Sequence, residues 1–150
     1  MFNKMNKPDK KITDFIQKHH VLTLATSTKN RPWCATCFYV YSKDENMFVF
    51  TSDDETKHVQ DVKENNIVAG SVVLETSVVG KIQGIQFAGK MYLPENDLKK
   101  KVHKLYMKKY PFAKLMNTQL WILDVNYIKL TDNRLGFGKK LIWEKDIIIV

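Results

Sequence analysis

Cysteine, arginine and proline are all scarce in this chain, and each scarcity closes off a class of protein. Two cysteines in 150 residues cannot staple a disulfide scaffold, so folding has to rest on a hydrophobic core. Four prolines and six glycines are too few for a collagen-like or proline-rich extended chain. No apolar run approaches the roughly 18 residues that a membrane helix requires, and the lysine-rich stretch from Met1 to Lys11 has no apolar segment behind it to act as an export signal. A cytoplasmic protein with no membrane partner is therefore expected. Arginine occurs only at Arg31 and Arg134 among 24 basic residues. Reading of guanine edges and RNA phosphates leans on the planar arginine fork, so no specific nucleic-acid partner is expected, even with many lysines between Asp97 and Lys109.

What the chain does contain suits one domain covering residues 1–150. Hydrophobic residues make up 44% and charged residues 27%, enough for a single core under a solvated surface. The formal net charge of +8 leaves two readings open, a phosphate-bearing partner or lysine used as a solubilising surface residue.

Apolar spacing changes period several times along the chain. Ile12, Phe15, Ile16 and His19 recur at helical spacing after Pro8-Asp9, which serves as a helix start. Val21–Thr26 and Trp33–Tyr41 read as two strands around the turn residues Ser27–Pro32, and a second turn, Ser42–Asn46, leads into a third strand, Met47–Thr51. His58, Val59 and Val62 then lie one helical turn apart, before Asn65-Asn66. Ile67–Leu74 and Ile82–Leu93 read as strands, the second with bulges or close backbone approach expected at Gly84 and Gly89. Pro94–Asp97 opens a helix with Leu98, Val102, Leu105 and Tyr106 inward, ended by Pro111. Leu120–Leu130, bent near Asn126, and Lys140–Trp143 complete the strands before an Ile-Ile-Ile-Val tail. Many short strands with few peripheral helices predict an α+β fold, mainly β, of barrel type.

Several patterns resemble chemical motifs and fail on geometry. Cys34-Ala35-Thr36-Cys37 has the C-x-x-C spacing, but within a strand its cysteines face opposite sides about 10 Å apart. His19, His20, His58 and His103 lack metal-ligand spacing, so no metal is expected. Gly136-Phe137-Gly138-Lys139-Lys140 lacks the interval and the hydroxyl of a phosphate loop.

One cluster carries more. Thr51 and Ser52 at a strand end, with Thr56 and Lys57 in the first turn of the next helix, offer hydroxyls, free N–H groups and an ammonium to one phosphate. The competing use is a capping box, Ser52-Asp53-Asp54-Glu55, in which the same helix-end donors are satisfied by Ser52 and Glu55. The residues alone leave both open.

The segments FVFTSDDETKHVQDVKENN and IQFAGKMYLPENDLKKKVHKLYMKKYP resemble the FMN-binding split-barrel family that includes pyridoxamine 5′-phosphate oxidase. LTDNRLGFGKKLIW is similar to a small uncharacterised bacterial family within it, and the resemblance runs from about Ile12 to Trp143. It implies a split barrel of about six to seven antiparallel strands and a homodimer. It also implies a flavin-dependent oxidoreductase, with FMN in an intersubunit cleft and a small-molecule substrate or electron donor beside it. By the same resemblance Thr51, Ser52, Thr56 and Lys57 hold the cofactor phosphate and Gln83 approaches the flavin ring, while Lys139 and Lys140 reach the site from the partner subunit. The sequence departs from the family at Trp33–Tyr41, which lacks the cofactor-binding Arg and Lys of the oxidase. It departs again at Asp53, Asp54 and Glu55, which bring negative charge to the phosphate position. The alternative implied is a split-barrel dimer without flavin that binds another small ligand in the same cleft.

Overall fold

Strand formation begins at the two-residue turn Lys29-Asn30, whose positive φ values of 47° and 59° give a hairpin turn that matches the natural twist of two strands. In the computed structural model, which describes residues 6–117 and 119–145, β1 (Val21–Thr28) and β2 (Arg31–Ser42) consequently pair without a break from Val21↔Phe38 to Thr28↔Arg31. The longer turn expected over Ser27–Pro32 is not formed. Two residues with positive φ reverse the chain by themselves, so the ladder continues through Ser27↔Pro32.

β3 (Met47–Ser52) pairs with β2 only from Tyr39 to Ser42. Over Arg31–Phe38, β2 has no second strand partner among the described residues. The remaining strands are β4 (Ile67–Val73), β5 (Gln83–Tyr92), β6 (Gln119–Asp132) and β7 (Lys140–Glu144). They run β3-β2-β1-β4-β5-β6-β7, and β3 also pairs with β6, which closes six antiparallel strands into a barrel and leaves β7 on the outside. The fold is the α+β split barrel expected.

β6 makes this closure possible by changing partner along one flank. β3 covers Gln119–Asp124 and β7 covers Tyr127–Thr131, while β5 runs along the opposite flank. Between the two halves the register passes from Ala88↔Tyr127 to Gly89↔Val125, so Asn126 is the extra residue of a bulge that bends the strand there. Gly89 lies opposite the bend because a Cβ at that position would stand 2.1 Å from the Asp124 carbonyl oxygen. At Gly84 there is no bulge, since it pairs in regular register with Val73 and Thr131, and close backbone approach is found instead, a Cβ there standing 3.2 Å from the Val72 carbonyl oxygen.

Helices close the barrel ends and one side. α1 (Lys10–Lys18) starts where the Asp9 carboxylate accepts from the Lys11 N–H, and it buries Ile12, Phe15 and Ile16. The Tyr39 hydroxyl donates to the Ile16 carbonyl at 2.7 Å. α2 (Lys57–Glu64) sits at the other end, by the β1–β2 turn, with Val59 and Val62 buried and the Asn65 side-chain amide donating to the Ser27 carbonyl. α3 (Asn96–Lys109) lies outside β2 and β3, where Val102 and Tyr106 pack on Val40, Val49 and Ile122. Pro111 ends it as expected, and a 3-10 turn, Pro111–Leu115, follows. No helix among the described residues is long and apolar enough to cross a membrane. The tail at 147–150 lies outside the described residues.

Gly89→Ala forces a methyl group into backbone and should destabilise the protein by about 1–3 kcal/mol. Gly80→Ala meets nothing within 4 Å and should stay within about 0.5 kcal/mol of the parent. Denaturant melts of both variants check the pair.

Candidate functional site

The junction between β3 and α2 holds Ser52, Thr56 and Lys57 of the residues singled out as a phosphate cluster, while Thr51, alternating with Ser52 in β3, shares the face of Val49 on the other side of the strand. Thr51 and Ser52 end β3 opposite Leu120 and Gln119, and Thr56 is the N-cap of α2 with extended backbone angles. The capping box read at Ser52–Glu55 is not formed. Ser52 is held in the β3 ladder and the helix starts only at Lys57, so the Ser52 hydroxyl is too far back to cap it; its Oγ lies 2.8 Å from the His58 Nε2 instead. The Thr56 hydroxyl donates backwards to the Asp53 carbonyl at 2.8 Å and caps no backbone N–H of the helix. The N–H groups of the first turn of α2 are thus left without a side-chain cap, which is the arrangement an anion can occupy.

Lys57 stands at the positive end of the helix dipole, where a cation is disfavoured unless negative charge lies close by. That charge is Asp61, one turn on and almost fully buried. Its two oxygens accept from the Lys57 ammonium at 2.9 and 3.1 Å, and it also accepts from the Thr26 and Thr28 hydroxyls at 2.8 and 3.1 Å. The Lys57 bond, helped by the two threonines, holds the Asp61 carboxyl below its ordinary value against the opposing effect of burial. An ammonium has three N–H donors, so two go to Asp61 and one remains. The same ammonium lies 5.5 Å from the centre of the exposed Trp33 ring, within cation–π range.

Sequence reading had missed Asp61, His58 and Trp33 as parts of this cluster. The Lys57-x-x-x-Asp61 spacing was a visible signal for the ion pair; the threonine bonds depend on the β1–β2 hairpin reaching over α2, which spacing along the chain does not encode. The acids expected beside the phosphate position are exposed, and Asp54 is drawn towards Lys63 at 3.6 Å. Cys34 is exposed and Cys37 buried, and they are not bonded to each other. Burial pushes the Cys37 thiol up to about 11.

Gln83, Lys139 and Lys140 gather elsewhere. Gln83 pairs with Asp132 and Lys140 with Thr131, at the end of β6 remote from Ser52 and Gln119. Fourteen residues of β6 at about 3.3 Å each separate the two groups by roughly 40 Å along the strand. Lys139 ends a loop that leads into β7 at Lys140, and the loop is held by its own bonds: Asp132 takes two from the Arg134 guanidinium, and the Asn133 side chain bridges Val79 and Gly138. A cleft of about 810 Å³ opens at the other end of α2, bounded by Lys63, Asn66, Tyr92, Glu95 and Trp121. It contains none of the expected cofactor residues.

The sequence pattern of the pyridoxamine 5′-phosphate oxidase family matches residues 8–132. The chain belongs to that family. A UPF0306 protein of Photorhabdus laumondii is 38% identical over 131 residues, 87% of this chain and 92% of the relative. Among solved structures, a heme binding protein from Mycobacterium smegmatis superposes with a TM-score of 0.70 at 19% identity. That match takes in 83% of this chain and 52% of the other, so the chain spans about half its length. A FAD-binding protein from Mesorhizobium loti matches 80% of this chain and 91% of its own, with a TM-score of 0.66 and 12% identity. At such identities the likeness is one of fold.

Asp61 contributes stability that is complete above the ordinary aspartate value of 3.8 and is lost as pH falls through its lowered folded value. Asp61→Asn should lower stability at neutral pH and flatten the loss seen in the parent as pH falls below the ordinary aspartate value. Denaturant melts from neutral pH to below that value read both effects.

Proposed function

We propose that this chain is an FMN-binding homodimer, an oxidoreductase of unassigned substrate. The cofactor phosphate sits at the β3–α2 junction and the ring system in a cleft completed by the second copy. What supports this reading is the placing of Ser52, Thr56 and Lys57 about the uncapped N-terminus of α2 in a member of the pyridoxamine 5′-phosphate oxidase family, with Thr51 beside them at the end of β3. These residues fit a phosphate monoester in kind: hydroxyls, backbone N–H groups and one uncommitted ammonium donor. Lys57 is oriented by Asp61 and packed beside Trp33, so little side-chain entropy remains to be lost when it meets an anion.

The separation of the two residue groups supports the second copy. Gln83, Lys139 and Lys140 lie at the opposite end of β6 from Lys57, and only a partner subunit turned end for end brings its own set across. The open stretch of β2 offers surface for that contact, with Trp33 and Phe38 exposed by 46% and 62%. When bound, the flavin supplies the hydride or electron transfer. The chain positions it, shields it from water and sets the charge around it.

A flavin-free dimer with another small ligand in the same cleft is favoured by the absence of Arg and Lys in Trp33–Tyr41 and by the partial neutralisation of Lys57. The absorbance of purified protein between about 350 and 500 nm, before and after addition of FMN, separates the two. A parallel haemin titration covers the ligand named for one structural neighbour. Binding of FMN by a dimer is the expected result. A monomer in sedimentation, or a colourless protein with no FMN affinity, overturns the reading.

Lys57→Ala should weaken FMN by about 1.5–3 kcal/mol through loss of a charge-assisted hydrogen bond. It should also lower the melting temperature of the ligand-free protein, because the buried Asp61 loses its counter-charge. Fluorescence titration with FMN and a thermal melt without it read the two effects separately.

A further inference from the structure

His58 lies at the centre of the proposed phosphate cluster. Its Nε2 is 2.8 Å from the Ser52 Oγ and 3.3 Å from the Thr56 Oγ1. The Thr56 hydroxyl proton is committed to the Asp53 carbonyl, so towards His58 the Thr56 oxygen can only accept. Ser52 can do either, and its other hydrogen-bond partner is the buried Cys37 thiol. When Nε2 carries no proton, it takes the Ser52 hydroxyl proton, and that hydroxyl is lost to any anion. When Nε2 is protonated it donates to the two oxygens, and the Ser52 proton is released to point at a ligand.

An anion accepting from Ser52 therefore favours a proton on Nε2, which the neutral ring can provide by changing tautomer, and attraction between the negative ligand and the imidazolium charge favours the added proton. We propose that His58 makes this a proton-coupled anion site, which takes up a phosphate-like tetrahedral anion together with one proton on the His58 ring and releases both as pH rises. The proposal rests on the phosphate cluster of the preceding section and specifies its regulation. Burial holds the ligand-free ring below the ordinary histidine value, opposed by the nearby Asp61 carboxylate. The surroundings allow the cycle to be carried by His58 alone. On its own helix the charged neighbours are Lys57 and Asp61, which are paired with each other; the preceding turn contributes Asp53, Asp54 and Glu55. β1 has no charged residue, and β2 has Arg31 at the hairpin turn and the buried Cys37 thiol, whose raised value keeps it neutral.

Inorganic sulfate is the probe of choice, since its charge is constant through the range in which histidine titrates, whereas the phosphate of FMN titrates there itself. Calorimetric titration with sodium sulfate at fixed ionic strength, between about pH 5 and 8 and in two buffers of different ionisation enthalpy, gives affinity and proton uptake together. Uptake approaching one proton per sulfate is expected, with affinity falling up to tenfold per pH unit above the titration of the free ring. His58→Gln preserves side-chain hydrogen bonding without the titration and should bind sulfate with a flat pH profile. Should that variant fold poorly, NMR titration of the His58 ring in the unaltered protein is a second reading, in which sulfate must raise its pKa.

A flat profile in the parent, an unchanged profile in His58→Gln, or an unmoved ring titration overturns the proposal. FMN binding that depends on Lys57 beside a flat sulfate profile would remove the proton coupling and leave the phosphate site standing. Failure of sulfate and FMN alike to bind at any pH would remove both.

Discussion

Pairing of β3 with β6 closes the barrel, and it also fixes where charged groups can stand. It sets Ser52 opposite Gln119 at one end of β6 while β5 sets Gln83 opposite Asp132 at the other. One strand thus serves as both the seam of the barrel and the axis along which two polar groups are held apart. The bulge at Asn126 and the missing side chain at Gly89 let that strand bend far enough to close the seam and still carry β7. A change that straightened β6 would disturb the core and the spacing of both groups together.

The charge arrangement at the β3–α2 junction follows from that placement. A helix that begins without a side-chain cap and has a lysine at its first position is electrostatically incomplete. Asp61 resolves part of this internally, taking two of the lysine's donors and drawing Thr26 and Thr28 over the helix. What is left is one ammonium donor, a set of N–H groups and two hydroxyls tied to His58. The proposed ligand completes the same electrostatics that Asp61 satisfies in part.

Much of this was legible in the sequence where a local rule decides the outcome. Runs of β-branched, aromatic and apolar residues between turn residues located the strands, Gly89 and Asn126 marked the bend, and Pro111 marked the end of α3. The cluster of Thr51, Ser52, Thr56 and Lys57 came from strand-to-helix order alone. Rules that depend on unseen geometry gave other results. Ser52-Asp53-Asp54-Glu55 has the spelling of a capping box, yet the β3 ladder claims Ser52 and moves the helix start to Lys57. The hairpin turn came out shorter than its composition suggested because Lys29 and Asn30 both accept positive φ. Asp61 could not be assigned to the threonines from spacing, since that contact requires two segments more than thirty residues apart to be stacked.

The central claim is that Lys57 of one subunit and Lys139 with Lys140 of the other serve one flavin site, and subunit complementation tests it most directly. One variant carries Lys57→Ala; the other carries Lys139→Ala and Lys140→Ala. Each alone should bind FMN weakly. Unfolding and refolding the two together forms mixed dimers in which one site receives Lys57 from one chain and both C-terminal lysines from the other, so tight binding should return at one site per mixed dimer. Mixed dimers that bind FMN no better than the separate variants would contradict the account, because all three lysines would then not act at one site shared across the interface.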